Sequence, residues 1–346
     1  MQNILKMRRI FKQSLALILS ALVLMPCLLE AQNVTDANGK KQGKWSKSYP
    51  NGKVKYSGEF KDDKEVGTFS YYSKDGKLTQ TIEYSQDGKV GQAKFFYKDG
   101  KLMSEGKYVN KKKEGVWTYY DEKGRKIREE NLVGGKQEGK ETNWDRNGGI
   151  NVTTMYKNGV KEGEEYKNFY ADGYSVTNYV NGKRNGKFTH YFASKKKQIE
   201  GKYVNDKKEG TWNFMNENAD VIKIQKWENG ELKYDAVKIS SRQGEIEVEF
   251  KDIAYLYPLG KQTCVVLKDG KKINAFNNYE QFVNLSDGNM FLLLNKTNKV
   301  YANYSAIKGT KDDGGKELLI ILEPKADVEI RTDEDSRKAL QSLFRK

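Results

Sequence analysis

The sequence predicts a mainly β protein: an elongated array of about eight antiparallel β-hairpin repeats followed by a small α+β domain. Three observations predict it. A glycine recurs at Gly43, Gly67, Gly91, Gly115, Gly139, Gly163, Gly186 and Gly210, every 24 residues except for one interval of 23. A second glycine stands nine residues after the anchor in the first five copies, at Gly52, Gly76, Gly100, Gly124 and Gly148. After residue 234 the period stops and branched aliphatic blocks replace it. Self-similarity at a fixed period of this size marks a repeat array, in which each unit buries its apolar groups against its neighbours.

Residues 1–31 read as a cleaved secretory signal peptide. Lys6, Arg8, Arg9 and Lys12 form a basic start, Leu15 to Leu29 an apolar run, and Ala31 a small residue at the cut. Met25-Pro26 before Cys27 departs from a lipoprotein box, so cleavage rather than lipidation is expected. The mature chain is then exported: periplasmic, associated with the outer membrane, or secreted. It keeps one cysteine, Cys264, which excludes an intrachain disulfide.

Residues 32–234 form the array. The clearest copies read Gly115-Val-Trp-Thr-Tyr-Tyr120 and Gly210-Thr-Trp-Asn-Phe-Met215, each preceded by Lys-Lys-Glu. Asn51-Gly52, Asp75-Gly76, Asp99-Gly100 and Asn147-Gly148 then predict two-residue hairpin turns, because these dipeptides favour positive φ. A second run ends in a large apolar residue, such as Phe60, Tyr84, Tyr108 or Leu132. No stretch from Asn33 to Tyr234 sustains a 3.6-residue apolar period, so no helix is predicted there. Eight hairpins imply roughly 16 strands, on the order of 75 Å of sheet. Copies five to seven depart from the pattern: Glu141 and Glu165 stand where an aromatic belongs, and Lys195 replaces the turn glycine.

The phrase Glu-Gly-x-Trp-x-x-Tyr, then Asp-Gly-Lys, then Gly-x-Tyr resembles the MORN repeat, specifically its bacterial variant, over about residues 39–232. Proteins built from this repeat are often labelled antitoxin components of the YwqK type. The resemblance implies a MORN-type hairpin array and an antitoxin-like, protein-binding role.

Residues 235–346 form the second domain. Gly244-Glu-Ile-Glu-Val-Glu-Phe250 alternates, and Cys264 to Leu267, Phe291 to Leu294 and Leu318 to Leu322 read as buried strands. Asp269-Gly270 predicts a hairpin. Thr332 is the expected cap of a terminal helix with Asp333 to Asp335 in its first turn and Ala339, Leu340, Leu343 and Phe344 on one face. This part resembles LytTR-type DNA-binding domains through Asp252-Ile-Ala-Tyr-Leu256, Val265 to Lys271, Phe291 to Thr297 and Asn303 to Ile307. The family's His-Arg-Ser phrase reads Asn295-Lys296-Thr297 here.

Charge narrows the partners. The chain carries a net +15, of which residues 32–234 hold +11. The second domain has 18 Lys or Arg against 17 Asp or Glu, so nucleic acid is a disfavoured partner. One histidine, His190, and one mature cysteine give little material for a metal centre or a nucleophile–base set, and no enzyme, cofactor or metal is expected. The candidate binding residues are an aromatic stripe, Trp45, Phe69, Phe96, Trp117, Tyr120, Trp144, Phe188, Tyr191 and Trp212. Basic turns join it, with Lys111, Lys112 and Lys113, and Lys195, Lys196 and Lys197. The stripe is expected to pack the array's own sheet, with sugar or peptide stacking as its alternative. The expected function is a non-catalytic binding or scaffold protein of the bacterial cell envelope, with a protein as its first expected partner. Neutralising an effector is one alternative, and binding an anionic lipid or glycan through the basic array is another.

Overall fold

The computed structural model describes residues 33–85, 87–286, 290–312, 317–327, 329–333, 336, 337 and 340. The predicted signal segment with Cys27, and Glu334, Asp335, Ala339, Leu343 and Phe344 of the predicted terminal helix, lie outside the described residues. The chain forms two compact units, Met1–Lys126 and Ile127–Lys346.

In the first unit, strands Lys41–Ser48, Val54–Lys61, Lys64–Tyr72, Leu78–Tyr84, Val90–Phe96, Leu102–Val109 and Lys112–Tyr120 form an antiparallel meander. Val34–Thr35 adds a short edge. The turns fall into two kinds, and both differ from expectation. At the Asn-Gly and Asp-Gly positions the loop has three residues: Gly52 N donates to Tyr49 O at 2.9 Å and Tyr49 N to Lys53 O at 2.8 Å. Only the glycine has positive φ, as at Gly52 (81°), Gly76 (83°) and Gly100 (87°). At Asn51 and Asp99 the residue before it accepts a backbone N–H two residues on, from Lys53 and Lys101, which suits an ordinary conformation there. Two-residue turns with both residues at positive φ sit at the other edge, on Asp62-Asp63 and Asn110-Lys111.

The anchor glycines mark bulges. Ser57 pairs with Ser70 and Glu59 with Val66, so Gly67, Thr68 and Phe69 oppose Gly58 alone, and Gly67 takes φ 64°. The same shift surrounds Gly115. Copy three lacks the bulge. There Ala93 replaces the aromatic, Gly91 is not at positive φ, and the strands pair from Gln80↔Phe95 to Tyr84↔Gly91 without a shift.

In the second unit the meander runs from Lys126–Val133 through Gly139–Trp144, Ile150–Lys157, Val160–Asn168, Tyr174–Val180, Lys183–Tyr191, Lys197–Val204, Lys207–Met215 and Val221–Glu228 to Glu231–Ser241. Described residues 33–234 contain no α-helix, only a 3-10 turn at Tyr170–Asp172. Glu231–Ser241 then pairs on its other side with Gly244–Glu249 and touches Lys272–Ala275, so repeats and α+β part share a sheet within this unit. The predicted buried strands appear as Gln262–Leu267, Phe291–Asn295 and Leu318–Leu322, and Asp269-Gly270 closes the hairpin to Lys272–Ala275. A helix missed in the sequence, Tyr279–Leu285, is capped by Asn278 and buries Phe282 with Val237, Ile239, Phe250 and Leu256. At the terminal helix, Asp333 rather than Thr332 is the cap. Asp333 Oδ1 accepts from Ser336 N at 2.9 Å, while Thr332 Oγ1 accepts from Leu318 N across the strand pair.

Candidate functional site

A single-layer sheet displays two faces and two turn edges, and the predicted stripe divides between the faces. Residues two and five positions after the anchor are three apart in one strand, so they point to opposite sides. In the first unit Trp45, Phe69 and Trp117 share one face and Phe96 and Tyr120 stand on the other; in the second unit Phe188 and Trp212 share one face and Trp144 and Tyr191 stand on the other. Tyr120 OH donates to Glu105 there, and Tyr191 stacks on Tyr174 at 4.5 Å.

On the first face the aromatics pack against backbone. A Cβ on Gly58 would stand 2.5 Å from the Phe69 ring; on Gly106, 2.3 Å from Trp117; on Gly201, 2.2 Å from Trp212. Each ring therefore lies flat over the glycine of the preceding strand, which is why the motif reads Gly-x-Tyr. Phe69, Trp117 and Trp212 are at most 2% exposed. Their flanks are closed by edge contacts from Tyr84, Tyr108 and Tyr203. A cation two residues before the anchor lies over the ring: Lys113 over Trp117 at 4.0 Å, Lys208 over Trp212 at 4.5 Å, and Lys41 over Trp45 at 5.1 Å.

Where Glu141 and Glu165 replace the aromatic, this face turns polar. Glu130, 5% exposed, and Glu141 both take Arg128, and Gln137 Nε2 donates to both carboxylates. One copy on, Lys161 pairs with Glu165, whose other oxygen accepts from Tyr179 OH at 3.1 Å. Burial is the strongest influence on Lys161 and opposes its charge, but the hydrogen bond to Glu165 and the attraction of the Glu165 charge together hold its pKa above the usual lysine value. Burial, aided by the Glu165 charge, also pushes the Tyr179 phenol up. These carboxylates are bound to cations of their own sheet.

The turns are tied to one another along the chain. The Glu of the Glu-Gly phrase accepts the backbone N–H of an Asn in the following two-residue turn: Asn158 to Glu138 at 2.7 Å, Asn181 to Glu162 at 2.7 Å, Asn229 to Glu209 at 2.8 Å. Of the basic turns, Lys111 is exposed and Lys112 opens a strand, but Lys113 is half-buried on Trp117 and bonds Tyr119 OH. Lys195 is exposed at φ 67°, Lys196 donates to Glu217 O at 2.7 Å, and Lys197 pairs with Glu200 at 2.6 Å. His190 bonds Asp172 O and packs on Phe169, and Cys264 is a buried core residue. A cavity of about 560 Å³ in the α+β part is lined by Tyr255, Tyr257, Lys299, Asp327 and Arg331 among others. No group of His, Cys, Asp and Glu able to hold a metal occurs among the described residues.

A family model described as the MORN repeat variant matches residues 41–62, 65–86 and 89–110, three consecutive copies of the array. No curated protein matches the chain. Among solved structures, a LytTr DNA-binding domain of a putative methyl-accepting/DNA response regulator from Bacillus cereus is 17% identical. It covers 32% of this chain and 95% of its own, with a TM-score of 0.27. The Photorhabdus luminescens Tc holotoxin pore is 11% identical over 82% of this chain and 15% of its own, with a TM-score of 0.16. Both scores are too low to place the chain in either fold.

Proposed function

We propose that the protein is a non-catalytic interaction scaffold, exported to the bacterial cell envelope, whose repeats display a protein-binding surface. The observation that supports it is where the recurring residues go. The anchor glycines make bulges, the aromatics cover glycines of the neighbouring strand, and the Glu of the Glu-Gly phrase holds a turn. The periodic chemistry is thus used in joining each hairpin to the next. What remains for a partner are displayed side chains that none of these roles uses, such as Val116 and Val133, 56% and 54% exposed. Export is supported by the basic and apolar segments before Ala31. A photo-crosslinking residue at Val116 or Val133 should give a discrete protein adduct in the envelope fraction, and one at buried Trp117 should not. A chain confined to the cytosol, or no adduct at any displayed position, would sink this reading.

A further inference from the structure

The charge of the first unit is concentrated on one edge. The three-residue turns and their flanks, residues 47–55, 74–77, 98–101 and 121–126, hold ten Lys or Arg against four Asp or Glu. The opposite edge, residues 36–41, 61–65, 87–90 and 109–114, holds eight against six. Three of the four acidic residues on the basic edge bind their own turns: Asp75 takes Ser73 Oγ, Asp99 takes Lys101 N at 3.1 Å, and Asp121 takes Lys123 N at 2.9 Å. Lys53 Nζ reaches forward to Asp75 O at 2.7 Å and Lys101 Nζ to Glu122 O at 2.8 Å, so lysines strap one turn to the next. Lys74, Lys77, Lys98 and Lys123 are exposed and make no ion pair among the described residues.

From these observations we propose that this edge is a binding strip for a linear acidic polysaccharide. Successive turns are two strands apart, about 10 Å, and a Debye length in physiological salt is about 8–10 Å, so their fields merge into one line. A polymer with a carboxylate on successive sugars offers anionic groups in a row of the same kind. The strip suits a chain better than a membrane, because Val54 is its one exposed large apolar side chain among the described residues. The Tyr49 and Tyr97 hydroxyls are bonded to Tyr72 O and Tyr120 O, which ties both phenols to the sheet rather than to a bilayer surface. It also lacks the exposed aromatic platform on which single-stranded bases stack.

The inference is independent of the protein-binding reading, since a polysaccharide can bind whether or not a protein adduct forms. The test is titration of the full chain with polygalacturonate at low and high salt. The Lys74→Gln, Lys77→Gln, Lys98→Gln, Lys123→Gln variant should bind at least about tenfold more weakly with an unchanged melting curve. Lys64→Gln with Lys112→Gln on the opposite edge should bind as the parent does. Equal weakening in both variants, binding undiminished by methyl esterification of the polymer, or tighter binding to phosphatidylglycerol vesicles or oligo(dT) would each overturn it.

Discussion

At the scale of single residues, backbone geometry exposes two positions where the repeat carries an unfavourable side chain. Lys195 (φ 67°) and Ala219 (φ 68°) close three-residue turns at the place held by Gly52, Gly76 and Gly100 elsewhere. A left-handed conformation costs an L-residue roughly 1–2 kcal/mol, partly offset by the greater freedom glycine loses on folding. Lys195→Gly and Ala219→Gly should each stabilise by about 0.5–1 kcal/mol in urea or thermal unfolding. Gly100→Ala, the reverse change, should destabilise by a similar amount, since the space beside Gly100 is open and only φ opposes it. No gain at Lys195 or Ala219 would mean that these turns relax their φ in solution. The Lys195 substitution was visible in the sequence as a missing glycine. Its left-handed backbone was not, because Asn-Gly and Asp-Gly serve two-residue and three-residue turns alike, and the flanking hydrogen bonds decide between them.

At the scale of the hairpin, ring and glycine form one device. The repeat already contains its inverse: Ile82 faces Ala93 where Gly58, Gly106 and Gly201 oppose Phe69, Trp117 and Trp212, and there the bulge is gone. Trp117→Ala alone should cost about 3–5 kcal/mol, the usual range for truncating a buried aromatic. Gly106→Ile alone should be comparably harmful, because its side chain would enter the Trp117 ring. Together they recreate the Ile–Ala pair. The double-mutant cycle should then show a favourable coupling of about 1–3 kcal/mol. Additive losses would show that volume complementarity does not link the two positions. The period and the recurring aromatics were legible from sequence, and so was the hairpin array. The division of the stripe was hidden by its own regularity, because aromatics three apart look like one motif in a string but occupy opposite faces of a strand. The glycine beneath each ring was also visible, in Gly-x-Tyr. Spacing alone cannot show that the ring of the next copy, as Trp117 does for Gly106, covers it across the sheet.

At the scale of the molecule, one strand decides how the repeats end. Glu231–Ser241 completes the last repeat hairpin and supplies Val237 and Ile239, each at most 1% exposed, to the core of the α+β part. Composition changes near residue 235, but backbone pairing does not stop there, and a boundary read from composition cuts through a strand. A buried ion pair spans the same point. Lys223, 3% exposed, lies 3.1 Å from Asp235, donates to Leu285 O at the end of the helix, and sits over the Phe250 ring at 5.0 Å. Burying both ions is costly, yet removing one partner leaves the other uncompensated, which typically costs about 3–5 kcal/mol. A fragment beginning at Asn216 keeps Lys223, the strand Val221–Glu228 and the pair. One beginning at Asp235 loses all three and exposes the strand edge they cover. The longer fragment should unfold cooperatively, with a urea midpoint well above that of the shorter. Lys223→Met in the longer fragment should move it most of the way toward the shorter one. Equal midpoints for the two fragments would show that the α+β part is closed without the last repeat, and that the ion pair contributes nothing to holding them together.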